Sequence, residues 1–329
     1  MVLDKLDQRV GKAVLCGGLR ELEFPMRQVN ENTRAVVVGY GRIGRLVVHA
    51  LRLAPDLQLA GIVSRRSSEV GKAVADVPVV SDVELLTSRP DVAILCVPAA
   101  VVDDTAHRLL SAGIRTVDAC DTHGDAAIVR LNVLDRLAKE NASAAIVAAG
   151  IDPGINTVIR ALMEIWAPTG ITYGNFGPGM AMAHTEFAKS HPGVSDALVV
   201  TRPVELGKNT RDVYVQLTDG ADFAEVQASI AEDQRFAGSY LQFFCVPDVA
   251  SLADTGHRAR IFRKGSASGV DNQVLSFDAR FSFPPSVAQV LVGAARAVSR
   301  LSPGVYTLLD IPLVYLLPGS RERVVRRCW

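Results

Sequence analysis

Four aspartates and three glycines in this chain have the types and the spacing to do chemistry. Asp118, Asp121 and Asp125 crowd the segment "DACDTHGD", and Asp152 ends the apolar run "IVAAGIDPG". A carboxylate at the end of a buried-looking strand is costly unless something is arranged around it. Several acids at one mouth repel unless a cation sits among them, and an amine is such a cation. Taken singly, each acid is more often a helix cap than a ligand: Asp152 for a helix from Ile155, Asp121 or Asp125 for the helix before it. The glycines, Gly39, Gly41 and Gly44, stand as G-x-G-x-x-G in "VVVGYGRIGRLVV", with Tyr40, Arg42 and Ile43 between them.

That glycine spacing, between a strand and a helix, is the fingerprint of a dinucleotide loop. The first glycine allows a tight turn, the second lets backbone approach a pyrophosphate, and the third lets helix and strand pack closely. The helix N-terminus then offers N–H donors to the phosphates. The second strand ends "GIVSRRSS", where an acid holding a ribose 2′-hydroxyl is usual. Ser64, Arg65 and Arg66 stand there instead, and a hydroxyl with two guanidiniums suits a 2′-phosphate. NADP(H) is the expected cofactor; a solvated basic loop is the bland alternative.

These residues need a scaffold, and the pattern around them supplies one. From Arg34 to Gly150, the runs "RAVVVG", "LQLAGIV", "DVAILCV", "RTVDAC" and "AAIVAAG" alternate with segments of helical spacing. Unbroken apolar strands alternating with helices predict a doubly wound, Rossmann-like parallel sheet buried on both faces. After a helix at about 155–166 the texture changes. "ALVVT", "DVYVQL", "YLQFFCV", "RARIFRK" and "QVLSFDARFSF" are strand-like, and only one clear helix, "DFAEVQASIAED", interrupts them. The expected fold class is therefore α/β with a second α+β domain on a mixed or antiparallel sheet. The expected divisions are an extension at 1–33, a nucleotide domain at 34–150, a second domain at 151–283 and a tail at 302–329. The helix at about 284–301, opened by Pro284-Pro285, is expected to pack back on the first domain.

Composition removes other classes. Charge is balanced at 35 basic against 35 acidic side chains, so no global field draws the chain to nucleic acid or membrane. No apolar run approaches membrane-spanning length. The five cysteines lie far apart without a C-x-x-C pair, which fits a reducing, cytoplasmic setting rather than a disulfide framework or zinc ribbon. The six histidines lack metal-binding spacing, so no metal site is expected. Residues 1–32 mix acids with bases and lack a long apolar stretch, unlike a leader peptide. Met26 just before the first strand offers an alternative start.

From about Arg34 onward the sequence resembles the meso-diaminopimelate dehydrogenases. The motifs carrying the resemblance are "VGYGRIGR", "SRR", "VDACDTHGD", "GIDPG", "NFGPGMAMAH", "DTGH" and the "NQ" of "GVDNQVLSF". It implies a homodimer that oxidatively deaminates, reversibly and with NADP, the D-centre of meso-2,6-diaminopimelate to L-2-amino-6-oxopimelate, ammonia and NADPH. It further implies that the second domain serves substrate binding and dimerisation. By position, Asp121, Asp125 and Asp152 would surround the amine. Ile151, Phe176, Gly177, Met180 and Met182 would line the pocket, supported by His184. Thr201, Arg211, His257 and Asn272 would hold the distal carboxylate. An arginine with neutral donors is chemically suited to that task.

The chain departs from the family pattern where Ile151 replaces a usual Trp and where Ala181 and Ala183 replace a usual Ser and Gly. These departures carry the expectation of altered substrate handling, toward other D-amino acids or lower activity. A D-amino acid dehydrogenase and a non-catalytic NADPH-binding protein are the alternative readings.

Overall fold

The computed structural model describes residues 33–329 other than Ala75, Pro178, 206–207 and 253–256. The expected extension therefore lies outside the described residues, apart from Thr33. Two cores lie on the two faces of a seven-stranded sheet of order β14-β6-β5-β4-β1-β2-β3, every neighbouring pair parallel. The strands are β1 (Thr33–Val38), β2 (Leu57–Val63), β3 (Val79–Val80), β4 (Val92–Leu95), β5 (Arg115–Asp118), β6 (Ala144–Ile146) and β14 (Gly304–Tyr306). Val36 and Val37 of β1 and Ala93 and Ile94 of β4 are fully buried, each neighbour facing the opposite core. This is why these strands read as unbroken apolar runs rather than alternations.

Helices α1 (Arg42–Leu53), α2 (Ser67–Ala73), α3 (Ala99–Ser111) and α4 (Gly124–Glu140) make the connections. The chain runs from β1 outward to β3, then returns beside β1 with β4 and continues to β6. The topological switch point therefore falls between β1 and β4, where doubly wound sheets bind ligands beyond the strand carboxyl ends.

Helix α8 (Phe283–Val298) packs against α1, and most of its residues from Val287 onward are buried. Arg296 on it forks onto Asp56 at 2.5 and 2.8 Å. The expected tail at 302–329 needs correction: its first residues form β14, the outermost strand of the parallel sheet, and its end forms helix α9 (Arg321–Cys328). β14 is too short for any periodicity to register. The same holds for β3, and neither belongs to the runs quoted above.

The second region carries two sheets. One is mixed, β11-β10-β9-β8, from β8 (Gly179–Met180), β9 (Val194–Glu205), β10 (Lys208–Leu217) and β11 (Tyr240–Cys245); only the β10–β11 pair is parallel. The other is antiparallel, β13-β12-β7, from β7 (Thr169–Phe176), β12 (His257–Ala267) and β13 (Val270–Phe281). Helix α5 (Ile155–Trp166) joins the regions and packs on β12. Helix α7 (Phe223–Glu232) is the one expected among the quoted strands, and helix α6 (Met182–Lys189), which the pattern did not mark, precedes them, following β8 and packing on β9. Its sequence is short and lacks a polar face clear enough to mark it.

Candidate active site

The glycine loop leaves β1 at the switch point. Gly39 has φ +98°, and a Cβ there would lie 2.4 Å from the Cys96 carbonyl oxygen at the end of β4. A Cβ on Gly44 would lie 2.1 Å from Gly39 O, so helix and turn touch. At Gly41 a Cβ would meet nothing within 4 Å. That open space lies at the N-cap of α1, whose first turn carries no acid, so its field favours an anion. An open cleft of about 420 Å³ lies here, lined by Tyr40, Gly41, Arg42, Arg45, Leu46 and Arg66. Arg45, which the motif reading passed over, also lies over the Tyr40 ring at 5.5 Å. Ile43 packs against the core. Ser64 Oγ accepts from Arg66 N at 3.2 Å, and Arg65 and Arg66 are exposed just beyond β2. The residues present fit a dinucleotide with an extra phosphate.

Because the sheet is parallel, the loops after β5 and β6 open on the same edge as the glycine loop. They touch each other: Ala149 N donates to Asp118 O at 2.7 Å, and a Cβ on Gly150 would lie 3.4 Å from Ala119 Cβ. The acids in these loops have different situations. Asp118 is buried and paired with Arg130. Asp121 and Asp125 are exposed, and Asp125 sits in the first turn of α4. Neither makes an ion pair among the described residues. Asp152 is half-buried and held by Arg160 Nη1 and Nη2, each 2.7 Å from one carboxylate oxygen. This bond raises the Arg160 pKa. Asp152 caps nothing: the N-cap of α5 is Gly154. Ile151 is 7% exposed and belongs to the core cluster on the α1–α8 side of the sheet.

In the mixed sheet, Thr201 lies directly across from Arg211 on one side and from Gly179 on the other. Arg211 Nε is buried without a hydrogen-bond partner, and burial pushes its pKa down. A buried guanidinium N–H left unused is a cost that an anionic ligand would relieve. His184 on α6 has a lowered pKa, chiefly from burial and then from the Arg211 charge; its bond to Arg235 O and the Asp121 charge oppose this. Its Nε2 lies 3.0 Å from Arg235 O, and its ring meets Phe236 edge-on at 5.2 Å. His184 therefore feels charge from both Arg211 and the acid loop.

Gly177 N donates to Arg258 O at 2.7 Å, next to His257 in β12. Asn272 is elsewhere. His257 pairs with Phe281 while Gln273 pairs with Gly265, eight residues further along β12. At about 3.3 Å per residue, Asn272 lies on the order of 25 Å from His257. The two cannot hold one carboxylate, and Asn272 leaves the group. The hairpin reverses the chain, so 281–283, not 272, lies beside His257. Sequence spacing alone could not reveal that register. The side chains of Phe176, Met180, Met182 and His257 lie outside the described residues. Among the described residues, no cluster of His, Cys, Asp and Glu could hold a metal ion, and no helix is long and apolar enough to cross a membrane.

Comparisons with known proteins fit this geometry. Residues 30–122 match the model of a CoA binding domain, over the glycine-loop half of the parallel sheet. A meso-diaminopimelate D-dehydrogenase of Bacteroides fragilis is 43% identical over 293 residues, covering 89% of this chain and 97% of that protein. One from Lysinibacillus sphaericus is 30% identical over 318 residues, covering 88% and 97%. The fold matches that of a C. glutamicum DAP dehydrogenase in complex with DAP, at TM-score 0.80 and 24% identity, covering 90% of this chain and 99% of that one. On the strength of the first two relatives, the chain belongs to the meso-diaminopimelate D-dehydrogenase family.

Proposed function

We propose that this chain catalyses the NADP-dependent, reversible oxidative deamination of meso-2,6-diaminopimelate at its D-centre, yielding L-2-amino-6-oxopimelate, ammonia and NADPH. The observation that carries the reading is the near-full-length kinship with the Bacteroides fragilis enzyme. The buried, unpartnered Nε of Arg211, which lies across from Thr201 in the mixed sheet, supports it.

Bound NADP supplies the hydride acceptor. Gly39, Tyr40, Gly41, Arg42, Ile43 and Gly44 form its phosphate loop, and Ser64, Arg65 and Arg66 receive the 2′-phosphate. Arg211, with Thr201 and His257, clamps the distal carboxylate, so only the D-centre hydrogen faces the nicotinamide. Asp121, Asp125 and Asp152 order the amine once it has shed its proton. They also stabilise the cationic iminium that develops as hydride leaves Cα, an electrostatic role for groups already in place. Water adds to the imine carbon and ammonia departs. His184 supports the pocket from α6, with Gly177, Phe176, Met180 and Met182 along its wall.

The same reading includes a cytoplasmic homodimer. The antiparallel sheet leaves Ile171, Tyr173 and Val274 exposed on one face, with β13 as a long open edge. A second copy is the natural cover for such a surface.

Absorbance assays at 340 nm over a panel of amino acids, with NADP and with NAD, test the function. The expected result is turnover of meso-diaminopimelate with NADP. Preferential turnover of simple D-amino acids would instead favour the altered-range reading that Ile151, Ala181 and Ala183 motivate. Against that alternative stands the burial of Ile151 in the core.

A further inference from the structure

The fork between Arg160 and Asp152 has a role beyond holding α5 to its preceding loop. The loop itself needs little help. Ile155 N donates to Gly150 O at 3.1 Å and Asn156 N to Ile151 O at 2.8 Å, so backbone bonds already close it. A Cβ on Gly154 would lie 2.0 Å from Gly150 O, so the turn has no room to relax. What the backbone leaves undetermined is where the Asp152 carboxylate points and what charge it presents.

Arg160 decides both. It sits eight residues on, along α5, and takes each carboxylate oxygen with a separate N–H at 2.7 Å. Two parallel bonds fix the carboxylate plane as one bond cannot, while each oxygen keeps capacity to accept from a substrate amine. Both side chains are mostly shielded, at 30% and 25% exposed, so the pair is screened less than a surface pair. The acids of the two loops thus divide. Asp118 and Asp152 carry matched arginines, whereas Asp121 and Asp125 have none among the described residues. The division matters because the substrate arrives as an ammonium and must lose a proton before hydride can leave. Three uncompensated carboxylates would bind the ammonium well and hold its proton too firmly.

We propose that Arg160 is a positioning residue for the deamination: it aims the Asp152 carboxylate at the substrate amine and offsets part of its charge, so the bound amine can deprotonate. This rests on Asp152 lying at the amine, as proposed above.

Steady-state kinetics of Arg160→Met, Arg160→Lys, Asp152→Asn and the Asp152→Asn/Arg160→Met double variant test it, with NADP affinity and thermal midpoint as checks on folding. The pH profile of kcat reports ionisations in the enzyme–substrate complex. In Arg160→Met, its acid limb is expected to move up by about 1 pH unit, because an opposite charge nearby favours the protonated amine. In Arg160→Lys, which keeps the charge but loses the fork, kcat is expected to fall roughly tenfold, the measure of one lost charged hydrogen bond, with the limb unmoved. The double variant should be no worse than Asp152→Asn, since Arg160 acts through Asp152. An impaired Asp152→Asn beside a folded Arg160→Met with wild-type kcat, KM and acid limb overturns the proposal alone. A wild-type Asp152→Asn removes the underlying reading as well. Should Arg160→Met not fold, wild-type kcat in Arg160→Lys overturns it.

Discussion

Asp118 and Arg130 are locked together beneath the acid loops. Arg130 Nη2 donates to Asp118 Oδ2 at 2.9 Å and Nη1 to Oδ1 at 3.3 Å, while Nε reaches Asp103 at 2.6 Å. Both side chains of the central pair are almost wholly buried. Removing one partner of such a pair strands the other as a buried charge, which costs about 3–5 kcal/mol. Arg130→Met should therefore lower unfolding free energy by that order, read from urea denaturation. A loss below about 1 kcal/mol would mean that water reaches the pair.

Arg211 presents the opposite case. Its buried, unpartnered Nε costs stability in the free protein, so Arg211→Met should leave the thermal midpoint unchanged or raised. If it clamps the distal carboxylate, the loss of a charged hydrogen bond of about 1.5–3 kcal/mol should raise KM for meso-diaminopimelate roughly 10- to 100-fold. Unchanged KM with unchanged stability would exclude Arg211 from the substrate site.

Two glycine substitutions in one motif should separate folding from cofactor binding. Gly39→Ala meets the Cys96 carbonyl at a positive φ and should destabilise by more than about 1 kcal/mol. Gly41→Ala meets no protein atom within 4 Å, so it should fold normally and weaken NADP binding. Calorimetry alongside a fluorescence titration of NADPH distinguishes the two.

Arg66 lines the cleft and Arg65 adjoins it. Replacing both with Ser should weaken NADP binding by about tenfold or more while leaving NAD affinity near its starting value, since only the 2′-phosphate loses charged donors. Equal weakening of both cofactors would mean that the arginines serve only as general basic charge.

His184 has its pKa held below the usual 6.5 by burial and the Arg211 charge. The unfolded chain therefore takes up its proton first as pH falls. This contribution to stability is complete above pH 6.5 and is lost as pH drops through the lower folded value. Thermal midpoints measured from pH 7.5 to 5 should fall, and His184→Gln should flatten part of that slope.

Much of this was legible in the chain. The strands β1, β4 and β6 announce themselves because strands buried on both faces must be continuously apolar, and β2 and β5 follow from their alternation with helical segments. The glycine loop is legible because turn, phosphate approach and helix packing each demand a missing side chain at one position. The strands β3 and β14 and helix α6 are too short to show a period. Asn272 misled for a different reason. The family resemblance grouped it with His257, but antiparallel pairing in β12–β13 reverses direction and carries it to the far end.

The sequence by itself determined the doubly wound sheet, the dinucleotide loop and the family, since each rests on local pattern or on residue types at fixed spacing. Only the tertiary structure decided how the acids are used. It gave Asp118 to Arg130, gave Asp152 to Arg160, and left Asp121 and Asp125 exposed. The physical reason is that a carboxylate's role depends on what lies within a few ångströms of it. Those neighbours come from helices whose rotation and packing set which residues face the strand ends.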